Sequence, residues 1–174
     1  LDNNNITKIP NNLKYSNLSI LSLKFNKIKK LPKIMPPNLK KLYLSNNKLI
    51  YIDNLPNKLY ILDANNNYIK KIKYFPDTLN CICLIDNKIK YLPKFPENLL
   101  HINITKNFIT KFPKLPKNIK SLVCPYNNIY EFYIDIPDKL EYIDCSNNQI
   151  FIINKNPPRH LKHYNYTNNP ILNI

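Results

Sequence analysis

The sequence predicts a solenoid of stacked repeats with a parallel β-sheet along one side. Three observations predict it: an asparagine recurs every 20 to 22 residues, aliphatic residues keep fixed offsets from it, and prolines fill the intervening segments. A constant period of this length indicates an array in which each copy is one structural unit. The recurring residues, called ladder asparagines below, are Asn4, Asn26, Asn47, Asn67, Asn87, Asn107, Asn127, Asn148 and Asn169.

The strand of each repeat is predicted from the aliphatic residues that precede its ladder asparagine. Leu79, Ile82 and Leu84 stand eight, five and three positions before Asn87. Ile82 and Leu84 alternate with Cys83, which is typical of a strand with one face inward and one outward. We therefore expect a strand of three or four residues per repeat, stacked in parallel at about 4.8 Å per copy.

The segment between strands is predicted to be extended rather than helical. A proline stands three positions before the first aliphatic residue of most frames. Proline disfavours helix and presets an extended path, so a polyproline-like return is expected. These prolines are Pro36, Pro56, Pro76, Pro96, Pro116, Pro137 and Pro158.

The ladder asparagines are predicted to be structural. A turn that leaves a strand exposes backbone N–H and C=O groups, and stacking buries them. A short amide side chain both donates and accepts, so a column of asparagines can satisfy those groups inside the solenoid.

Two consecutive segments carry a family resemblance. The run Leu92-Pro93-Lys94-Phe95-Pro96-Glu97-Asn98-Leu99, followed by Ile102-Asn103-Ile104-Thr105-Lys106-Asn107-Phe108-Ile109, resembles the leucine-rich repeat, and more narrowly the short, proline-rich class of secreted bacterial effectors. The resemblance implies an α/β horseshoe-type leucine-rich repeat solenoid with a concave parallel β-sheet and an extended, polyproline-like convex side. It also implies protein partners on the concave sheet. Some such effectors carry a separate ubiquitin-ligase domain, and nothing in this sequence matches one.

The resemblance covers residues 1–174, which we interpret as a single array of about nine repeats. Neither end shows a polar capping element, so the array is expected to be a segment of a longer chain. Asn, Lys, Ile and Tyr are abundant while Gly and Trp are absent. This usage indicates an AT-rich genome, such as that of a giant virus or a protist.

The outward strand positions, six, four and two residues before each ladder asparagine, form what we call the concave face. These columns vary in residue type, whereas the inward columns do not. Apolar and aromatic residues that would meet solvent on a scaffold are candidate anchors for a protein partner. The predicted partner-binding residues, which include one residue flanking a strand, are Ile20, Tyr43, Ile61, Asp63, Ile85, His101, Val123, Tyr126, Tyr142 and Asp144.

The net charge of +15 leaves two alternatives open. Lysines such as Lys70, Lys71, Lys88 and Lys90 lie after the ladder asparagines and form a basic edge that could attract nucleic acid or another polyanion. Nucleic acid is not expected, because base reading favours arginine and Arg159 is the single arginine. The other alternative is a passive spacer.

The four cysteines fall into two kinds. Cys124 and Cys145 occupy inward positions and should be small buried hydrophobic residues. Cys81 and Cys83 face outward beside His101, a set that could bind a soft metal such as zinc. A single Cys-x-Cys pair is weak evidence, so no metal is predicted. Exposed thiols favour a reducing, intracellular location.

No enzyme is predicted. Asp63 and Asp144 should lie four repeats apart, and His101 and His163 three, about 20 and 15 Å along the sheet. Neither pair could act on one substrate atom. No cofactor, small-molecule substrate or membrane span is expected.

Overall fold

The protein is a solenoid whose main element is an eight-stranded parallel sheet. The computed structural model describes residues 1–130, 136–152 and 159–172. The sheet order, β1-β2-β4-β6-β7-β8-β9-β10, follows the chain, and β3 pairs with β5 in a second, two-stranded parallel sheet. The strands are β1 (Ile20–Ser22), β2 (Lys41–Tyr43), β3 (Tyr51–Ile52), β4 (Ile61–Asp63), β5 (Lys71–Ile72), β6 (Cys81–Cys83), β7 (His101–Asn103), β8 (Ser121–Val123), β9 (Tyr142–Asp144) and β10 (His163–Asn165).

The register places equivalent positions of successive repeats side by side. Ile82 of β6 pairs with Leu62 on one side and Ile102 on the other, and all three are buried. The expected strand of three or four residues is confirmed in eight of the nine repeats, each with three residues, and its central residue faces inward. Because the period is nearly constant, each inward side chain packs on its counterpart and forms a continuous apolar column.

The inward columns build one core along the solenoid. Leu79, Leu84 and Ile89 are fully buried, at 0% exposure. The column five residues after the ladder asparagine is less uniform, because Ile72 is buried whereas Leu92 is only half-buried. Three members of that column, Phe132, Ile153 and Ile174, lie outside the described residues.

The inward cysteines belong to this core, as expected. Cys124 and Cys145 are both buried. Burial raises the pKa of the Cys124 thiol well above its ordinary value and that of Cys145 to about 12. Both thiols are therefore protonated at neutral pH and act as small apolar side chains.

The ladder asparagines form a repeated hydrogen-bond unit, which confirms their structural role. The Asn107 amide nitrogen donates to the carbonyls of Ile104 and Thr105 in its own repeat and of Leu84 in the preceding one, at 2.9 to 3.2 Å. Its side-chain oxygen accepts the Ile89 backbone N–H at 3.1 Å. Seven of the nine ladder asparagines, Asn26 to Asn148, are buried in the stack, where they satisfy backbone groups that water does not reach.

The residue before each ladder asparagine has a positive φ. The nine values lie between 52° and 59°, in the left-handed region. Asparagine and aspartate tolerate that region better than other non-glycine residues, and six of the nine positions carry one of them. The exceptions are Phe25, Lys106 and Tyr126, which carry the steric cost of this turn without the relief of a short polar side chain.

The convex side is extended, as predicted, and the prolines have a specific place in it. The carbonyl of Pro76 accepts the Leu79 N–H at 3.0 Å, and that of Pro96 accepts the Leu99 N–H at 3.1 Å. Each proline thus opens the turn that leads into the next strand, a role that the spacing alone did not reveal. Pro158 lies outside the described residues.

Helix content is low, which confirms the expected convex side. In the described ranges the one helix is a 3-10 helix at Asn11–Tyr15, in the first repeat. The described part of the chain contains no apolar helix of a length that could cross a bilayer.

Candidate functional site

The concave face is built by three parallel columns of outward side chains. Register pairs Cys81 with His101 and Asp63 with Cys83, as the constant period predicted. Each step along a column, from one strand to the next, is about 4.8 Å. The sheet therefore presents side chains from different repeats as one continuous surface.

The predicted partner-binding residues all lie on this face or at its margin, but they differ in exposure. Tyr126, Ile20 and Tyr142 are the exposed apolar members, at 55, 53 and 38%. His101 is also exposed. The half-buried members are Tyr43, Ile61, Asp63, Ile85, Val123 and Asp144.

The N-terminal half of the face is held by a polar network. Lys24 crosses β2 to reach Asp63 of β4, with 2.9 Å between Nζ and Oδ2. On the way its ammonium lies over the Tyr43 ring, 4.9 Å from the centroid. Ser45 donates its hydroxyl to the same Asp63 carboxylate. Two predicted anchors, Tyr43 and Asp63, are therefore engaged within the chain.

The charges in this network stabilise one another. The hydrogen bond to Asp63 raises the pKa of Lys24, so the ammonium stays charged over the physiological range. Nearby, Ser22 donates to Asp2 at 2.7 Å, and this bond lowers the pKa of the Asp2 carboxyl. The Lys24 to Asp63 contact was not foreseen, because it joins different columns two strands apart and depends on the reach of a lysine side chain.

The C-terminal half of the face carries an aromatic stack. The Tyr142 ring stacks on the His163 imidazole, with 4.2 Å between centroids and 7° between planes. Val123 lies half-buried on the neighbouring strand β8, and Tyr126 follows at the turn. Asp144 is occupied by its own turn, since its carboxylate accepts the Ser146 N–H at 3.0 Å and hydroxyl at 2.8 Å.

The middle of the face carries Cys81 and Cys83, both half-buried free cysteines. His101 lies beside Cys81, as expected. Among the described residues no group of three His, Cys, Asp or Glu side chains is arranged to hold a metal ion.

A second surface feature lies at the N-terminal end, away from the sheet. A cavity of about 590 Å³ opens between the 3-10 helix and β3. Asp53 is its single acidic lining residue. Within the described ranges none of the lining lysines forms an ion pair. These lysines are Lys8, Lys14, Lys29, Lys30 and Lys33.

Comparison with known proteins agrees with this geometry. The Leucine Rich Repeat family profile matches residues 38–57. No curated protein sequence matches the chain.

Three solved structures show the same architecture. YopM, a leucine-rich effector protein from Yersinia pestis, is 28% identical with a TM-score of 0.83, over 96% of this chain and 48% of its own. YopM from Yersinia enterocolitica is 26% identical with a TM-score of 0.69, over 88% of this chain and 38% of its own. Toll from Drosophila, solved in complex with Spätzle, is 22% identical with a TM-score of 0.70, over 85% of this chain and 24% of its own. The last likeness shows the fold alone.

The chain thus spans less than half the length of the two YopM proteins that it resembles. The ladder asparagines, the parallel sheet and the matched profile lead to one conclusion. The chain has the fold of a leucine-rich repeat solenoid, similar to the solenoids of the YopM effector proteins.

Proposed function

We propose that this chain is a protein-interaction module that binds its partner on the concave face. The leucine-rich repeat fold itself suggests an interaction module. The Toll structure named above is a complex with a protein, Spätzle. Leucine-rich repeat solenoids are generally scaffolds for binding rather than enzymes.

One observation carries the choice of face: apolar side chains stand at solvent-facing positions of a rigid sheet. Val123, Tyr126 and Tyr142 lie on adjacent repeats β8 and β9, next to the stacked His163. Their strands are paired on both sides, so the anchors are held in place before binding and lose little freedom when a partner covers them. Aromatic anchors of this kind dominate the energetics of protein interfaces.

The two halves of the face would contribute differently. Tyr43 and Asp63 are already paired with Lys24, so a partner would have to displace or cover that network. The C-terminal half offers apolar surface that needs no such exchange. We therefore place the principal contact around Val123 and Tyr142, and a polar contact around Lys24.

The arrangement of titratable groups supports a binding role rather than catalysis. Asp63 and Asp144 lie on strands four steps apart in the sheet, and His101 and His163 on strands three steps apart. At about 4.8 Å per step, neither pair can reach one substrate atom. The half-buried free thiols of Cys81 and Cys83 favour a reducing, intracellular site of action, which fits the likeness to effector proteins.

The test is affinity capture from cell lysate with three matched proteins. The first is the wild-type chain and the second carries Val123→Asp with Tyr142→Asp. The third carries Tyr91→Asp with Phe151→Asp, exposed aromatic positions that follow ladder asparagines and lie off the sheet. We expect a protein captured by the first and third but lost from the second, with all three folded by circular dichroism. Equal capture by the second and third would contradict the proposal.

The lysine-lined cavity favours a second function, binding of a polyanion. Five lysines against one carboxylate give the cavity a net charge of +4, and an anion entering it would release counterions. Retention on a heparin column should then fall when Lys29 and Lys30 are changed to Gln. The control is Lys139→Gln with Lys162→Gln, at the other end of the chain, which should leave retention at the wild-type level. Equal losses in both pairs would indicate bulk charge and no site.

A further inference from the structure

A pair of thiols sits at the centre of the sheet without a role in the function proposed above. Cys81 and Cys83 are the first and last residues of β6. Both face outward and are half-buried, while Ile82 between them is fully buried. All four cysteines are free, but Cys124 and Cys145 are enclosed in the apolar core.

The strand places the two thiols on one face of the sheet, where they contact each other. A strand rises about 3.3 Å per residue, so the two Cα atoms lie about 6.6 Å apart. Disulfides accept Cα separations of about 4.4 to 6.8 Å. The Cα separation is therefore at the long end of the allowed range, and the strand must contract locally to bring the two Cβ atoms to the separation of about 3.5–4.5 Å that a disulfide needs. A bond formed there would be strained and easily reduced, which is the character of labile disulfides.

The two thiols differ in acidity because they contact each other. A hydrogen bond from the Cys83 thiol lowers the pKa of Cys81 to about 7. The same contact raises the pKa of Cys83 strongly. The neighbouring strands add Asp63, beside Cys83 on β4, and His101, beside Cys81 on β7. Asp63 raises both pKa values, and Lys24 lowers that of Cys83. At neutral pH about half of the Cys81 thiol is therefore ionised, whereas Cys83 holds its proton.

We propose that Cys81 and Cys83 form a thiol–disulfide exchange site that reacts with low-molecular-weight disulfides, such as glutathione disulfide. The Cys81 thiolate attacks one sulfur of the small disulfide. A Cys81–S bond forms, the small S–S bond breaks, and the departing thiolate takes a proton from water.

Cys83 then resolves the mixed disulfide. It gives its proton to water and its sulfur attacks Cys81, displacing the second small thiol. The largest cause of its raised pKa, the contact with the Cys81 thiolate, has disappeared at this point, while burial and Asp63 remain. In the net reaction the two protein thiols are oxidised to one disulfide, and the small disulfide is reduced to two thiols.

The test treats the whole chain with glutathione disulfide and maps the tryptic peptide 74–88, which contains both cysteines and no others. Wild type is expected to yield this peptide lighter by two hydrogens, and dithiothreitol should restore it. Cys83→Ser and Cys83→Ala should instead trap one glutathione on Cys81. Cys81→Ser should react far more slowly. Cys124, buried in the same chain, serves as the unreactive reference while the protein is folded.

The pH dependence of alkylation distinguishes a Cys81 thiol with a lowered pKa from a thiol that is only exposed. The rate at which iodoacetamide modifies Cys81 should rise with pH through a midpoint near 7 in wild type. In Cys83→Ser the midpoint should move, because the thiol donor is replaced. Persistence of the glutathione adduct in wild type, equal reactivity of Cys81→Ser and Cys83→Ser, or a Cys81 midpoint at the ordinary thiol value would each overturn the proposal.

Discussion

Asn107 and Asn103 are the same amino acid, four residues apart in one repeat, and they do different things. Asn107 is buried and ties two repeats together through four hydrogen bonds. Asn103 faces outward, and its side-chain oxygen accepts only the N–H and hydroxyl of Thr105, at 3.2 and 2.7 Å. The contrast shows that an asparagine has a structural role when its side chain points into the solenoid, and that the residue type alone does not decide this. It also explains why the ladder column is uniform while the concave columns vary.

Replacing each asparagine by alanine would separate the two roles most strongly. In Asn107→Ala the carbonyls of Leu84 and Ile104 keep the amides of the adjacent ladder asparagines, but the buried Ile89 N–H loses its acceptor. A buried unsatisfied donor costs about 1–3 kcal/mol, and the lost bonds add to it, so we expect a loss of about 3 kcal/mol in the free energy of unfolding.

The matched change Asn103→Ala should cost less than about 1 kcal/mol, because it removes bonds within one part-buried turn and leaves no fully buried donor without an acceptor. Urea unfolding followed by circular dichroism measures both. Similar losses in the free energy of unfolding would show that the hydrogen bonds of the ladder asparagine stabilise the chain no more than those of an outward asparagine.

A smaller effect is expected at Tyr126, a turn residue with a positive φ that is neither asparagine nor aspartate. Asparagine adopts its φ of 57° at a lower steric cost than tyrosine does. Tyr126→Asn should therefore stabilise the chain by about 1 kcal/mol while weakening partner binding on the concave face. Tyr91→Asn, at an exposed position without a positive φ, is the control and should gain nothing. The midpoints of unfolding of the two variants are compared. An equal shift in both would show that relief of backbone strain at Tyr126 does not cause the gain in stability.

Much of the architecture could be predicted because it follows from a period. Register, inward burial of Ile82 and the adjacency of Cys81 with His101 all derive from a spacing of 20 residues. The features that were missed depend on local geometry instead. The turn at Pro76 is recognised only from its hydrogen bond to Leu79. The pairing of β3 with β5 involves only two residues per strand, too few to give a sequence pattern.

The length of individual side chains limited how much of the site could be predicted from the sequence. The columns predicted which residues face outward, and the structure places all ten predicted residues on the concave face or at its margin. Periodicity carries no information on how far a side chain extends. It therefore could not show that Lys24 spans two strands to Asp63, or that Tyr142 stacks on His163. Those contacts decide which predicted anchors are free to meet a partner.

The most direct test of the account is a binding titration of the captured partner against Val123→Asp with Tyr142→Asp and against Asn103→Ala. The account predicts that the first variant loses at least about tenfold in affinity, or about 1.4 kcal/mol, while its unfolding free energy stays near that of wild type. Asn103→Ala, on the same face but engaged only with its own turn, should change affinity much less. An unchanged affinity in the first variant would contradict recognition on the concave face.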